Sequence, residues 1–261
     1  MNNGEDERTR VLAERYLASC DEYTDPYERE KLINDWVKKR ADAVAAVGDM
    51  RSRAGEVSGK RVLDIGFGNG LYSMAFAKTG AQVSSLEVNP VLLSIAQETL
   101  LAEGVEADMR IYDGTVFPFA DNYFDYAFSV SVLEHVSDPA LLLREASRVL
   151  KPGGKFYLAF PNRWRALETH TGVWFLSYLP RDMAQWLMRT LAKRNSIEEL
   201  NLHFISYWSL KHLLRGTSLH IVLEYGGKTW PRRALKKFLA FFGIHYSAIL
   251  GTVMVILEKR I

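Results

Sequence analysis

From Lys60 to Phe160 the chain alternates short apolar runs with segments of helical spacing, and this alternation constrains the fold more than any other feature. RVLDIGF, AQVSSLEV, ADMRIYD, FDYAFSV and KFYLAF carry the β-branched and aromatic residues of buried strands. Between them, LYSMAFAKTG, PVLLSIAQETLLAEG and PALLLREASRVLKPGG space apolar side chains as helices do. Strands joined by crossover helices at this interval pair in parallel and are covered on both faces, which predicts an α/β fold. With 261 residues, 48% of them hydrophobic, a sizeable core is affordable and a disordered chain is excluded.

Residues 5–53 lack strand alternation, and Leu32, Ile33, Trp36, Val37, Val44 and Val47 recur at helical spacing among charges. Two amphipathic helices joined near Asp25-Pro26 are expected, making residues 1–55 an N-terminal helical cap with Tyr16, Tyr23 or Tyr27 near a bound cofactor. Residues 56–261 then form one domain with a mostly helical lid at about 163–216, including RDMAQWLMRTLAKR and SYWSLKHLLRG. LHIVLEYG and ILGTVMVILEKR read as the closing strands, separated by a basic helix, PRRALKKFLAFFG. Residues 238–257 hold no Asp, Glu, Lys or Arg and match a bilayer span in length, but the polar break at Gly243–Ser247 and the β-branched run after it favour a buried strand.

The lone cysteine, Cys20, has no internal disulfide partner, and MNNGEDERTR lacks the apolar stretch of a secretory signal, so a cytoplasmic location is expected. Charge is uneven: residues 1–160 carry 18 Lys/Arg against 25 Asp/Glu, and residues 161–261 carry 15 against 6. A basic second part suits nucleotide phosphates, nucleic acid or an anionic membrane surface, and equally a solvated basic face.

In VLDIGFGNG an apolar strand brings Asp64 to its end and supplies Gly66, Phe67, Gly68 and Gly70 directly before a helix. Such glycines let the chain turn sharply and a ligand approach closely, at nicotinamide, flavin and adenosylmethionine sites alike. The next strand ends at Glu87 and Val88, where the acid is placed to accept from both ribose hydroxyls. After the third strand, Asp113-Gly114-Thr115 offers a carboxylate for an adenine amino group, although Asp-Gly is also a common turn. Ser129 ends the fourth strand region.

In this order the pieces resemble the class I S-adenosylmethionine-dependent methyltransferases of the type 11 kind, as do FDYAFSVSVLEHV and LREASRVLKPGGKFYLAFPN. The spacing Asp64-x-Gly66-x-Gly68-x-Gly70 departs from the Gly-x-Gly-x-x-Gly of dehydrogenases. The resemblance, over roughly residues 60–162, implies a Rossmann-like three-layer α/β/α sandwich. Its sheet would be seven-stranded and mostly parallel, with the last strand antiparallel and supplied by residues 249–259. It implies S-adenosylmethionine as cofactor, held by Asp64, Gly66, Phe67, Gly68, Gly70, Glu87, Val88, Asp113, Gly114, Thr115 and Ser129. Ser131-Val-Leu-Glu134-His135 is similar to a stretch of ubiquinone-pathway O-methyltransferases, in which Glu-x-x-Glu-His is associated with a metal. Ser131 replaces the first glutamate here, leaving too few ligands for a dedicated ion, so no metal is expected.

Methyl transfer from a sulfonium is an in-line displacement that needs alignment and exclusion of water, with a base only for a weak nucleophile such as a hydroxyl. Candidates for that base are His135, Glu168, His170 and His203, with Glu168 and His170 foremost as a pair, although for any one of them a structural or helix-capping role is the commoner reading. The lid mixes Trp164, Trp174, Phe175, Tyr178, Trp186, Tyr207 and Trp208 with Arg163, Arg165, Arg181, Arg189, Lys193 and Arg194. This suits a small-molecule, lipid-linked or glycosylated acceptor with membrane-surface contact, or a lid whose aromatics close its own core. An RNA methyltransferase is the second reading, although no RNA-binding module is recognisable, and a non-catalytic docking protein of this fold is the third.

Overall fold

A computed structural model describes residues 3–19, 26–168, 171–191, 197, 201–224 and 250–260. Among them seven strands form one sheet: β1 (Arg61–Ile65), β2 (Gln82–Glu87), β3 (Asp108–Ile111), β4 (Phe124–Val130), β5 (Leu150–Pro161), β6 (Leu219–Glu224) and β7 (Thr252–Lys259). Their order is β3-β2-β1-β4-β5-β7-β6. β2 pairs in parallel with β1 and β3, whereas β7 runs antiparallel to both β5 and β6, as expected of the last strand. The chain divides into two compact units, Met1–Pro118 with Phe124–Tyr126 and Phe119–Tyr123 with Ala127–Ile261.

In the first unit, α1 (Asn3–Ala18) packs with α2 (Pro26–Ala54) and α4 (Val91–Leu101), while α3 (Leu71–Ala77) follows the glycine turn and packs with α2 and α4. Leu12, Ala13, Leu17, Ile33, Trp36 and Ile95 form one apolar cluster. Burial contributes about 1.5–3 kcal/mol for each large side chain, more than the exposed Arg15–Glu98 pair can add. Tyr16 stacks on Trp36 at 5.4 Å, so its ring belongs to this helical packing. Tyr23 and the Tyr27 side chain lie outside the described residues.

In the second unit α5 (Pro139–Val149) starts on an Asp138 side chain that accepts from the Ala140 and Leu141 amides, with Pro139 preset for the first turn. β5 begins at Leu150, so Lys151-Pro152-Gly153-Gly154 lies in the strand rather than trailing the helix. Among the described residues the lid holds α6 (Arg181–Thr190), α7 (Tyr207–Leu213) and two short 3-10 turns, Leu176–Tyr178 and Leu214–Gly216. Leu176, Ala184, Met188, Ile197 and Leu202 make its core, and Tyr207 is buried, whereas Trp164, Trp174, Phe175, Tyr178, Trp186 and Trp208 are exposed. Most of the lid aromatics therefore do not close its core.

The charge-free stretch 238–257 ends in β7, which agrees with a strand there, and its part before residue 250 lies outside the described residues. Among the described residues no helix is long and apolar enough to cross a membrane.

Candidate active site

The glycine turn is fixed by backbone bonds. The Gly66 and Phe67 amides both donate to the Leu86 carbonyl, at 2.8 and 3.1 Å, tying the end of β1 to β2, and the Gly70 amide closes the turn on Phe67 O at 2.8 Å. Gly70, at φ 79°, is compulsory: a Cβ there would sit 2.9 Å from Cα and Cβ of Ala96. Gly68, at φ 53°, faces open space, since a Cβ would meet no atom within 4 Å. The turn is thus packed tightly beneath and open above, where a ligand can approach the backbone.

Asp64, at the end of β1, is buried with 1% exposure. Ser73 Oγ donates to Asp64 Oδ2 at 2.6 Å, so the 2.9 Å contact between Ser73 Oγ and Ser85 Oγ is donated by Ser85. Burial pushes the Asp64 carboxyl up to about 7; the Ser73 bond opposes this and the Glu87 charge adds to it. Asp64 therefore supports the turn from below. Ser73 and Ser85 escaped the sequence reading, because small polar residues inside apolar runs carry no distinguishing pattern.

Glu87 ends β2 with its carboxylate already engaged: Oε2 accepts from the Gly68 amide at 3.1 Å, and Oε1 from Val88 at 2.8 Å and Asn89 at 3.2 Å. A carboxylate has about four acceptor positions, so one stays open, on Oε2. Accepting from both ribose hydroxyls, as the sequence suggests, requires one of these amides to let go. The Asp113-Gly114-Thr115 turn follows β3, with Asp113 Oδ1 accepting from the Thr115 amide at 2.9 Å and its hydroxyl at 2.6 Å. Those bonds hold the exposed Asp113 carboxyl below its ordinary value. A Cβ on Gly114 would lie 3.5 Å from Val88 Cγ1, so the ends of β2 and β3 form one rim. Tyr112, which the sequence reading missed, joins this rim: burial, then the charges of Glu87 and Asp113, push its hydroxyl up to about 12. Its only signal was its place beside Asp113.

The remaining candidates lie in the second unit. Ser129 is fully buried, and its Oγ has no hydrogen-bond partner among the described residues. The segment after β4 is tied to residues 201–203: the Asn201 side-chain amide donates to His135 O at 2.8 Å and the His203 amide to Glu134 O at 2.7 Å. A small cavity of about 20 Å³ is lined by Glu134, Arg163, Arg165, Glu168 and His203 among others, but not by His135. Glu168 Oε2 accepts from the Thr171 amide at 2.6 Å and the Thr171 hydroxyl at 2.7 Å, binding its own loop. His170, its expected partner, lies outside the described residues.

His203 is the candidate best arranged to take a proton. Its Nε2 is buried with no hydrogen-bond partner among the described residues, so the ring's bond to the Val136 carbonyl is made by Nδ1. Nδ1 then carries the hydrogen and Nε2 an open lone pair. Burial, and secondarily the Arg181 charge, holds the imidazole below its ordinary value, keeping that lone pair free near neutrality. Among the described residues no group of three or more His, Cys, Asp or Glu side chains is arranged to hold a metal ion.

Residues 63–158 match the family model of a methyltransferase domain. The ubiquinone biosynthesis O-methyltransferase of Xanthomonas euvesicatoria pv. vesicatoria is 38% identical over 109 residues, covering 41% of this chain and 46% of that protein. That of Stutzerimonas stutzeri is 30% identical over 164 residues, 62% of this chain and 65% of that protein. The matches thus span about half to two thirds of those relatives. Among solved structures, a SAM-dependent methyltransferase from Aquifex aeolicus aligns with a TM-score of 0.53 at 16% identity, over 81% of this chain and 88% of that one. The [4+2]-cyclase SpnF aligns with a TM-score of 0.59 at 18% identity, over 97% and 93%. That a cyclase shares the architecture shows that fold alone does not fix the reaction. Residues 63–158 are thus similar to a methyltransferase domain, and the seven-stranded sheet that contains them shares the fold of solved methyltransferases.

Proposed function

We propose that the protein is an S-adenosylmethionine-dependent O-methyltransferase acting on a small molecule. The observation that carries this reading is the first unit's cradle: an open backbone above Gly68, an acceptor position left on Glu87 Oε2, and the Asp113 turn on the same rim. These features fit a nucleoside cofactor, with Glu87 taking a ribose hydroxyl and Asp113 the adenine amino group. The cofactor supplies an electrophilic methyl group, and the relatives named O-methyltransferases support a hydroxyl as the acceptor.

A hydroxyl at neutral pH needs a base, and His203 Nε2 is the residue we assign to take its proton, leaving Nδ1 on the Val136 carbonyl to steady the ring. With S-adenosylmethionine held at Glu87 and Asp113, the acceptor oxygen would take the methyl group as the carbon–sulfur bond broke, the positive charge of the sulfonium being lost and the acceptor's proton held on His203. The exposed Trp174 and Phe175, together with Trp186 one turn before Arg189 on α6, support a further reading, that the lid contacts a membrane surface bearing an apolar acceptor.

Incubating the protein with methyl-labelled S-adenosylmethionine and a set of catechols tests the activity. Transfer of label to a phenolic oxygen is expected. Label appearing only in RNA would replace this reading with the nucleic-acid one. Cosedimentation with phosphatidylglycerol vesicles, lost when Trp174 and Trp186 become Ala, is the result expected of a membrane-contacting lid.

A further inference from the structure

The second unit holds a larger groove, of about 570 Å³, next to the small cavity and sharing Arg163 and His203 with it. Its polar lining is Arg163, Arg181, His203, His212 and Ser209, and no Asp or Glu among the described residues lines it. The rest is apolar, with Leu179, Phe204, Ile205 and Leu213.

Two arginines of this unit find carboxylates: Arg144 pairs with Asp138, and Arg148 with Asp121 at 2.7 Å and Glu145 at 2.6 Å. Arg163 and Arg181 make no ion pair among the described residues. Arg163 Nε is buried without a hydrogen-bond partner, and Arg181 spends one bond, at 3.2 Å, on the Leu202 carbonyl. Glu134 and Glu168 line the small cavity with Arg163 but not the groove, and Asp138 is occupied in capping α5 and in pairing with Arg144. A buried guanidinium donor left unpaired is costly, and it is relieved by an acceptor from outside the chain. Planar guanidinium forks match carboxylate and phosphate oxygens, and the apolar wall suits the body that bears them.

We propose that this groove is the subsite that selects the methyl acceptor by charge: Arg163 and Arg181 grip a carboxylate or phosphate while Leu179, Phe204, Ile205 and Leu213 receive an apolar or aromatic body. The inference rests on the small-molecule methyltransferase reading, and it narrows the acceptor from any hydroxyl compound to one carrying an oxyanion.

Calorimetry on the full chain with 3,4-dihydroxybenzoate and catechol, which differ by one carboxylate, tests it. The carboxylate compound is expected to bind about tenfold or more tightly, as a charge-assisted bond implies. Arg163→Gln and Arg181→Gln should each erase most of that preference while leaving catechol affinity unchanged. If Arg163→Gln fails to fold, Arg181→Gln, at an exposed position, carries the test. Equal affinities, or a preference that survives Arg181→Gln, would overturn the proposal. So would inorganic phosphate competing as well as dihydroxybenzoate, which would mark a free-anion site. Arginine-dependent binding to phosphatidylglycerol vesicles without any small-ligand preference would overturn it in favour of a lipid surface. S-adenosylmethionine titrated into the same samples reads the donor assignment separately: its failure with the carboxylate preference intact would sink that reading and leave the anion subsite standing.

Discussion

The glycine turn of the first unit and the lid of the second obey different rules. Around the turn each residue is fixed by its neighbours within the chain: Gly70 by the 2.9 Å approach of Ala96, Asp64 by the Ser73 hydroxyl, Glu87 by the three amides it accepts from. In the lid, Trp174 and Trp186 remain exposed at 64% and 65%, Arg163 lies over the Trp164 ring at 5.6 Å, and neither Arg163 nor Arg181 has a carboxylate partner among the described residues, so neighbours within the chain constrain these side chains less. A region that satisfies itself has its chemistry written in local spacing. A region that leaves groups unsatisfied shows the character of its ligand and not its name.

The sharpest way to break this contrast is to add a side chain at Gly70. Gly70→Val places branched carbon against Ala96 and into a left-handed conformation, and should cost about 3–5 kcal/mol of stability. Urea unfolding reads this; a variant as stable as the parent would mean that the turn is not the rigid part.

His203 tests the second unit. His203→Gln should lower kcat for a phenolic acceptor by on the order of a hundredfold, with S-adenosylmethionine affinity unchanged. Because the imidazole is held below its ordinary value of 6.5, the parent's kcat should stay level through neutral pH and fall only on acidification below that value. A kcat–pH profile that declines from pH 8 downward would contradict the assignment.

Smaller effects sharpen the cradle. Glu87→Ala removes the ribose acceptor and releases the Gly68, Val88 and Asn89 amides, so cofactor affinity should fall at least tenfold, by about 1.4–3 kcal/mol. Equilibrium dialysis showing unchanged affinity would remove Glu87 from the site.

Asp64 gives the mildest prediction, in stability against pH. With its carboxyl raised to about 7 from 3.8, the folded protein holds this proton where the unfolded chain has lost it. The associated stability is present at acid pH and is lost as pH rises through about 7. Asp64→Asn should therefore lose less stability than the parent between pH 5 and 8, by on the order of 1–2 kcal/mol. Parallel curves would place Asp64 in a wetter setting than its burial indicates.

Much of the first unit was legible because its determinants are local. The strand ends at Asp64 and Glu87 and the glycines between them follow from periodicity and from conformations only glycine adopts easily. What spacing could not reveal was occupancy: Glu87 reads as a carboxylate free for two hydroxyls, but the amides folded around it leave one position. The lid was legible only as aromatic and basic. Its core comes from Leu176, Ala184, Met188, Ile197 and Leu202, ordinary apolar residues, while the conspicuous tryptophans lie outside. In sequence the Glu168–His170 pair stood ahead of His203, whose distinction depends on the Val136 carbonyl, distant along the chain. Likewise, β5 starts at Leu150 despite the Pro-Gly-Gly that reads as a break.

The central claim is that the self-satisfied cradle is a nucleoside-cofactor site, and calorimetric titration of the full chain with S-adenosylmethionine tests it most directly. One-to-one binding that is weakened at least tenfold by Glu87→Ala is the predicted result; no heat of binding from folded parent protein would contradict it.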